Sequence, residues 1–103
     1  MADLDTKQIV YAMANLWPIP EKAKEAKKIL FDLVPEAKKD EACLKYELLN
    51  NKYHKCQVSL YQAWSTEQAL DEHLNGELIK KVTEELRSLL EKPTEIIRYK
   101  NIA

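Results

Sequence analysis

The sequence has no surplus of charge of either sign. Its 103 residues hold 16 lysines and arginines against 17 aspartates and glutamates, a formal net charge of -1. That balance argues against a nucleic-acid partner, because phosphate binding needs cations gathered on one face. Lys22, Lys24, Lys27 and Lys28 are interleaved with Glu21 and Glu25, the pattern of a solvated helix face. Long apolar runs are also missing. The longest, Ile9 to Leu16, is well short of the roughly 20 residues that a membrane-spanning helix requires. The polar, acidic opening does not read as a secretory signal, so no membrane association and a cytoplasmic location are expected.

Cysteine and histidine are scarce, with two of each. A hairpin turning near Asn51 and Lys52 would set Cys56 opposite about Leu48 and away from Cys43, so both are expected as reduced, buried thiols. His54 and Cys56 make at most two ligands where a zinc site wants three or four, and no metal is expected. The single glycine, Gly76, marks a break between helical segments.

What the sequence does contain is strong patterning within the length of one domain, residues 1–103. Gln8 to Trp17 alternates as a strand, with Tyr11, Met13 and Asn15 on one face and Val10, Ala12, Ala14 and Leu16 on the other. Pro20 suits a first helical position, and Ala23, Ala26, Ile29, Leu30, Leu33 and Val34 make the following helical stripe. Pro35 is expected to bend or stop that helix. Leu44, Tyr46 and Leu48 define a second strand, which forms a hairpin with a third from Lys55 to Trp64. Ser65 and Gln68 have capping-box spacing for a helix from Thr66 to about Leu74. A longer helix carries Leu78, Ile79, Val82, Leu86, Leu89 and Leu90 up to Pro93, and Glu95 to Lys100 makes the last strand.

This order is βαββαβ, a ferredoxin-like α+β arrangement with one antiparallel sheet and helices on one face. Because the first strand is apolar on both faces, the open sheet face is expected to meet a second copy of the chain, giving a homodimer.

Val58 to Leu74, reading VSLYQAWSTEQALDEHL, joins a strand end to a helix start at Trp64. A ligand cavity commonly opens at such a corner. Asn15 needs partners for both its donor and its acceptor within an apolar strand, and Tyr11 carries a hydroxyl that must be paired if buried. Gln62 shares the Trp64 face and suits a substrate carbonyl, though it cannot act as a general base. His73, near a helix end, has the ordinary pKa range for proton abstraction near neutral pH. Each has a plain structural alternative: a core tryptophan and tyrosine, an asparagine bonded to backbone, and a histidine at the negative end of a helix dipole.

The ordered segments CLKYELL at Cys43 to Leu49, LYQAWST at Leu60 to Thr66, ALDEHL at Ala69 to Leu74 and EIIRYKN at Glu95 to Asn101 resemble the antibiotic biosynthesis monooxygenase family. The resemblance implies a dimeric α/β barrel and a cofactor-independent monooxygenase acting on a planar phenol or quinol with dioxygen. It implies catalytic roles for Asn15, Trp64 and His73, and substrate contacts from Tyr11, Met13, Leu60 and Gln62. The family pattern has Glu at the position of Gln62 and a second His at that of Leu78. A non-catalytic small-molecule-binding dimer, and a signal-degrading or isomerising enzyme on the same fold, are the alternatives.

Overall fold

The structure, a computed structural model, describes residues 8–103. Strands β1 (Val10–Leu16), β2 (Cys43–Asn50), β3 (Val58–Trp64) and β4 (Glu95–Lys100) form one antiparallel sheet in the order β2-β3-β1-β4. Helices α1 (Ala23–Ala37), α2 (Glu67–Leu74) and α3 (Glu77–Leu86) complete the ferredoxin-like α+β fold. Among the described residues no helix is long and apolar enough to cross a membrane.

Register decides which side chains meet. Val10 pairs with Trp64, Ala12 with Gln62 and Ala14 with Leu60. Since side chains alternate across a strand, these six point to the helices, together with Val58 and Leu16, and all are buried. On α1, Ala23, Ala26, Leu30, Leu33 and Ala37 are buried at helical spacing and face the sheet. Tyr11, Met13 and Asn15 are half-buried on the opposite sheet face, across from Ala63, Tyr61 and Ser59.

Element ends depart from the sequence pattern for identifiable reasons. A single 3-10 turn at Pro20–Lys22 leads into α1, with Pro20 at its start as expected. Helix α1 then continues through Pro35 to Ala37, because a proline in the last turn removes one backbone bond while buried Ala37 still anchors that turn. Strand β3 begins at Val58 rather than Lys55. The chain is closed there by the backbone bond from Asn51 to Gln57 and by the Gln57 side chain, which donates to the carbonyls of Leu16 and Val58. Cys56 therefore lies in the hairpin connection, and both it and Cys43 are half-buried free thiols rather than fully buried ones.

The cap of α2 is Thr66, not Ser65: its hydroxyl accepts from the Ala69 amide at 3.0 Å. Ser65 is still held to the sheet edge through its amide, which donates to the Ala42 carbonyl. Gln68 reaches Glu72 instead of closing a capping box. Gly76 then starts α3 within a tight junction, where an added Cβ would stand 3.0 Å from the Glu72 carbonyl oxygen. Helix α3 stops at Leu86, short of Leu90. Residues 89–91 instead turn to bond with the segment after β1, with Ile19 donating to Leu89 and Glu91 to Trp17.

Strand β4 is a sheet edge, and every one of its residues is exposed. Arg98 ties it to α2 through ion pairs with Glu67 and Asp71, the latter at 2.8 Å. Thr66→Ala should lower unfolding free energy by about 1 kcal/mol, the usual cost of losing a threonine cap, and Ser65→Ala by much less. Urea denaturation of the two variants checks the assignment.

Candidate functional site

Between the helix-facing side of the sheet and the helices lies a cavity of about 620 Å3, within the range of small-molecule sites. Its walls are mostly aliphatic, with Ala14 and Leu60 from the sheet, Leu30 and Leu33 from α1, and Val82 and Leu86 from α3. Three polar side chains reach it from the sheet and α2: Tyr46, Gln62 and His73. Arg87, Lys92, Thr83 and Thr94 line it as well, near its edge.

The polar end is built on Trp64, which is 0% exposed. Its indole N–H donates to Gln62 Oε1 at 2.8 Å, so a buried donor that would otherwise cost free energy is satisfied. His73 lies against the indole with ring centroids 4.5 Å apart, and Tyr46 meets both rings edge-on. Tyr46 Oη and His73 Nε2 share a hydrogen bond of 3.2 Å, whose donor is set by the histidine tautomer. Trp64 itself is not a wall of the cavity; it is the layer behind Gln62 and His73.

Burial sets the protonation of this cluster. It pushes the Tyr46 phenol well above its usual range, so the hydroxyl keeps its proton. Burial likewise pulls His73 down to about 4, against a smaller opposing pull from Asp40, so the imidazole is neutral at pH 7. A histidine poised near neutrality, expected from its ordinary range, is not what the fold creates. Taking a proton from a phenol, which ordinarily titrates near pH 10, would be well uphill for such an imidazole, unless an oxyanion beside the ring raises its basicity.

The sequence-derived candidates are divided between two faces. Leu60, Gln62 and His73 border the cavity and Trp64 backs it. Asn15, Tyr11 and Met13 are on the other side of the sheet, since β1 turns its even-numbered residues to the helices. There Asn15 accepts from the Ser59 hydroxyl at 2.6 Å and donates to Glu95 at 2.8 Å, which satisfies its amide with surface groups. Tyr11 stacks on Tyr61 at 6.5 Å. The grouping of Asn15, Tyr11 and Met13 with Trp64 and His73 in one pocket is therefore corrected. Sequence reasoning treated Tyr46 only as a strand residue. Its signal was the polar atom on an otherwise apolar strand face.

His54 is exposed in the hairpin connection. Among the described residues no three His, Cys, Asp or Glu side chains come together as a possible metal site.

His73 binds its proton less readily in the fold, at about 4, than an ordinary histidine at about 6.5. Over that window the unfolded chain takes up more protons, so the contribution is complete above pH 6.5 and is lost as pH falls toward 4. The loss of denaturation midpoint between pH 6.5 and 4 should be smaller in His73→Gln than in the unaltered protein. Parallel urea titrations across that range measure it.

Residues 9–85 match the antibiotic biosynthesis monooxygenase family. No curated protein matches the sequence closely enough to count as a relative. Among solved structures, a conserved protein from Methanosarcina mazei Go1 superposes with TM-score 0.87 at 24% identity, covering 97% of this chain and 99% of its own. Rv0793 from Mycobacterium tuberculosis gives TM-score 0.86 at 18% identity, over 92% and 96% of the two chains. A structure described as an antibiotic biosynthesis monooxygenase gives 0.84 at 16% identity, over 91% and 99%. These likenesses concern the fold, and they agree with the strand order and helix placement described above. With the match spanning β1 through nearly all of α3, the chain belongs to the antibiotic biosynthesis monooxygenase family.

Proposed function

We propose that the protein binds a planar, largely apolar phenol or hydroquinone in the 620 Å3 cavity and oxygenates it with dioxygen, using no cofactor. The observation that carries this reading is an aliphatic cavity with a small group of neutral polar side chains at one end. Membership of the family supports the reaction class. An electron-rich phenolate can pass an electron to dioxygen directly, so the protein's part is to exclude water, orient the ring and stabilise the oxyanion.

In this scheme Leu60, Leu33 and Val82 hold the ring. Gln62 and Tyr46 lie within the polar end that receives the substrate oxygen. His73 is held neutral by burial and gains basicity as negative charge develops beside it. Trp64 acts through Gln62 and His73, whose positions it fixes, and is a positioning residue. Asn15, Tyr11 and Met13 have no part in the reaction of one subunit's cavity.

The same face that holds them suits assembly. Tyr11, Tyr61, Ile97, Tyr99 and Leu49 place apolar surface on the open side of the sheet, with Tyr99 50% exposed. We propose that a second copy covers this face. Tyr61→Asp combined with Tyr99→Glu should convert a dimer to a monomer in sedimentation equilibrium, and a monomeric unaltered protein would overturn the assembly.

A second reading, a binding module without turnover, is favoured by the low basicity of His73 and the absence of a carboxylate at position 62. Oxygenation of 1,4-dihydroxynaphthalene under labelled dioxygen separates the two. Monooxygenation puts one labelled oxygen into 2-hydroxy-1,4-naphthoquinone and reduces the other to water. Val82→Trp, which fills the cavity, should cut the rate at least tenfold. Unlabelled 1,4-naphthoquinone and peroxide, formed at the rate of buffer alone, would mean that the monooxygenase reading is wrong.

A further inference from the structure

The bond between Trp64 and Gln62 fixes more than the tryptophan. An indole N–H is a donor only, so its partner at 2.8 Å must be the amide oxygen of Gln62 and not the amide nitrogen. The side-chain amide is planar and its two ends diverge, so anchoring the oxygen behind the cavity turns the NH2 group the other way. That nitrogen makes no hydrogen bond to any described residue. No buried side-chain nitrogen or oxygen among the described residues is both sealed and unpartnered. The Gln62 nitrogen therefore keeps a little surface of its own, on a side chain that lines the cavity and is otherwise buried.

We propose that Gln62 Nε2 is an immobilised donor that makes this cavity select ligands presenting an acceptor oxygen, the carbonyl of a ketone or quinone or the oxygen of a phenol or phenolate, over ligands presenting only an N–H at that point. The proposal deepens the reading of the cavity as a ligand site and rests on it. Its physical basis is the asymmetry of buried hydrogen bonds. A carbonyl placed against Gln62 gains a bond in an aliphatic surround, whereas a donor placed there loses its water and meets a second donor. Glutamine is ordinarily ambivalent because its amide can turn over. Here turning over would set the NH2 against the indole N–H and leave two buried donors facing each other, so the ambivalence is removed. Tyr46 and His73 keep one O–H or N–H beyond the bond they share, but the histidine tautomer decides which of the two carries it, so neither is fixed as a donor in the way Gln62 is. For the oxygenation chemistry the same donor would favour the deprotonated or keto form of a bound phenol, in which the oxygen carries most charge.

Three fused bicyclic probes of nearly equal size test it: 1-indanone as acceptor only, indole as donor only and indene as neither. In proton–nitrogen correlation NMR titrations, 1-indanone should bind about tenfold more tightly than indene, the worth of one hydrogen bond from a fixed buried donor. Indole should bind no more tightly than indene. The Gln62 side-chain amide resonances should move with 1-indanone and stay nearly fixed with indene, a readout that needs no variant. Gln62→Leu should bring 1-indanone and indene to equal affinity.

If indole matched 1-indanone, or if the Gln62 amide resonances ignored 1-indanone, the donor assignment would be overturned while the cavity reading stood. Binding of all three that Val82→Trp abolishes locates them in the cavity and supports the frame of the test. Binding that survives Val82→Trp, or no binding by any probe, would overturn both readings together.

Discussion

A tryptophan with no exposed surface must find an acceptor for its N–H, and in this fold one side chain two residues back on the same strand supplies it. Trp64 and Gln62 point the same way because side chains two apart on a strand share a face, and their 2.8 Å bond removes the cost of burying both groups. The consequences spread outward from that pair. The indole plane gives His73 a surface to lie on, and Tyr46 closes the cluster from the neighbouring strand by packing on both rings. Gln62 loses its freedom to turn over. The polar end of the cavity is therefore a rigid consequence of one buried donor.

Burial then sets the chemistry. The same desolvation that strengthens hydrogen bonds in the cluster keeps Tyr46 protonated and His73 neutral. A site of this kind holds no ionised side chain at its polar end and offers dipoles instead. Such a site suits a reaction in which charge appears on the substrate and is met by fixed donors, and it suits a permanent base poorly. The cations that line the cavity belong elsewhere. Arg87 is exposed and paired with Glu84, and Lys92 stands 3.9 Å above the Trp17 ring.

The other sheet face has a separate character. Asn15, Ser59 and Glu95 satisfy one another there, and Tyr11 stacks with Tyr61. Edge strand β4 contributes Ile97 and Tyr99 to that face and, on its opposite face, Arg98 to α2. One six-residue strand thus links the helical layer to the open surface, because alternation sends neighbouring side chains in opposite directions.

Local patterning in the sequence determined the strands, the helical stripe of α1, the strand-to-helix corner at Trp64 and the element order. Each depends on residues a few positions apart, with period two or 3.6. The sequence also determined that Gln62 and Trp64 share a face. Only the tertiary structure decided that Val10, and not Tyr11, stands opposite Trp64. Pairing between strands more than 40 residues apart fixes that register, and a shift of one residue would exchange every side chain between the faces. An amide within an apolar strand, together with the family resemblance, points Asn15 to the pocket, and only the register shows it on the other face, across from Ser59. Thr66 replaced Ser65 as the cap, and α3 ended at Leu86, for the same kind of reason: backbone bonds to distant segments overrode a local signal. The low basicity of His73 belongs with these, since desolvation comes from what the fold packs around a ring and not from its neighbours in the chain.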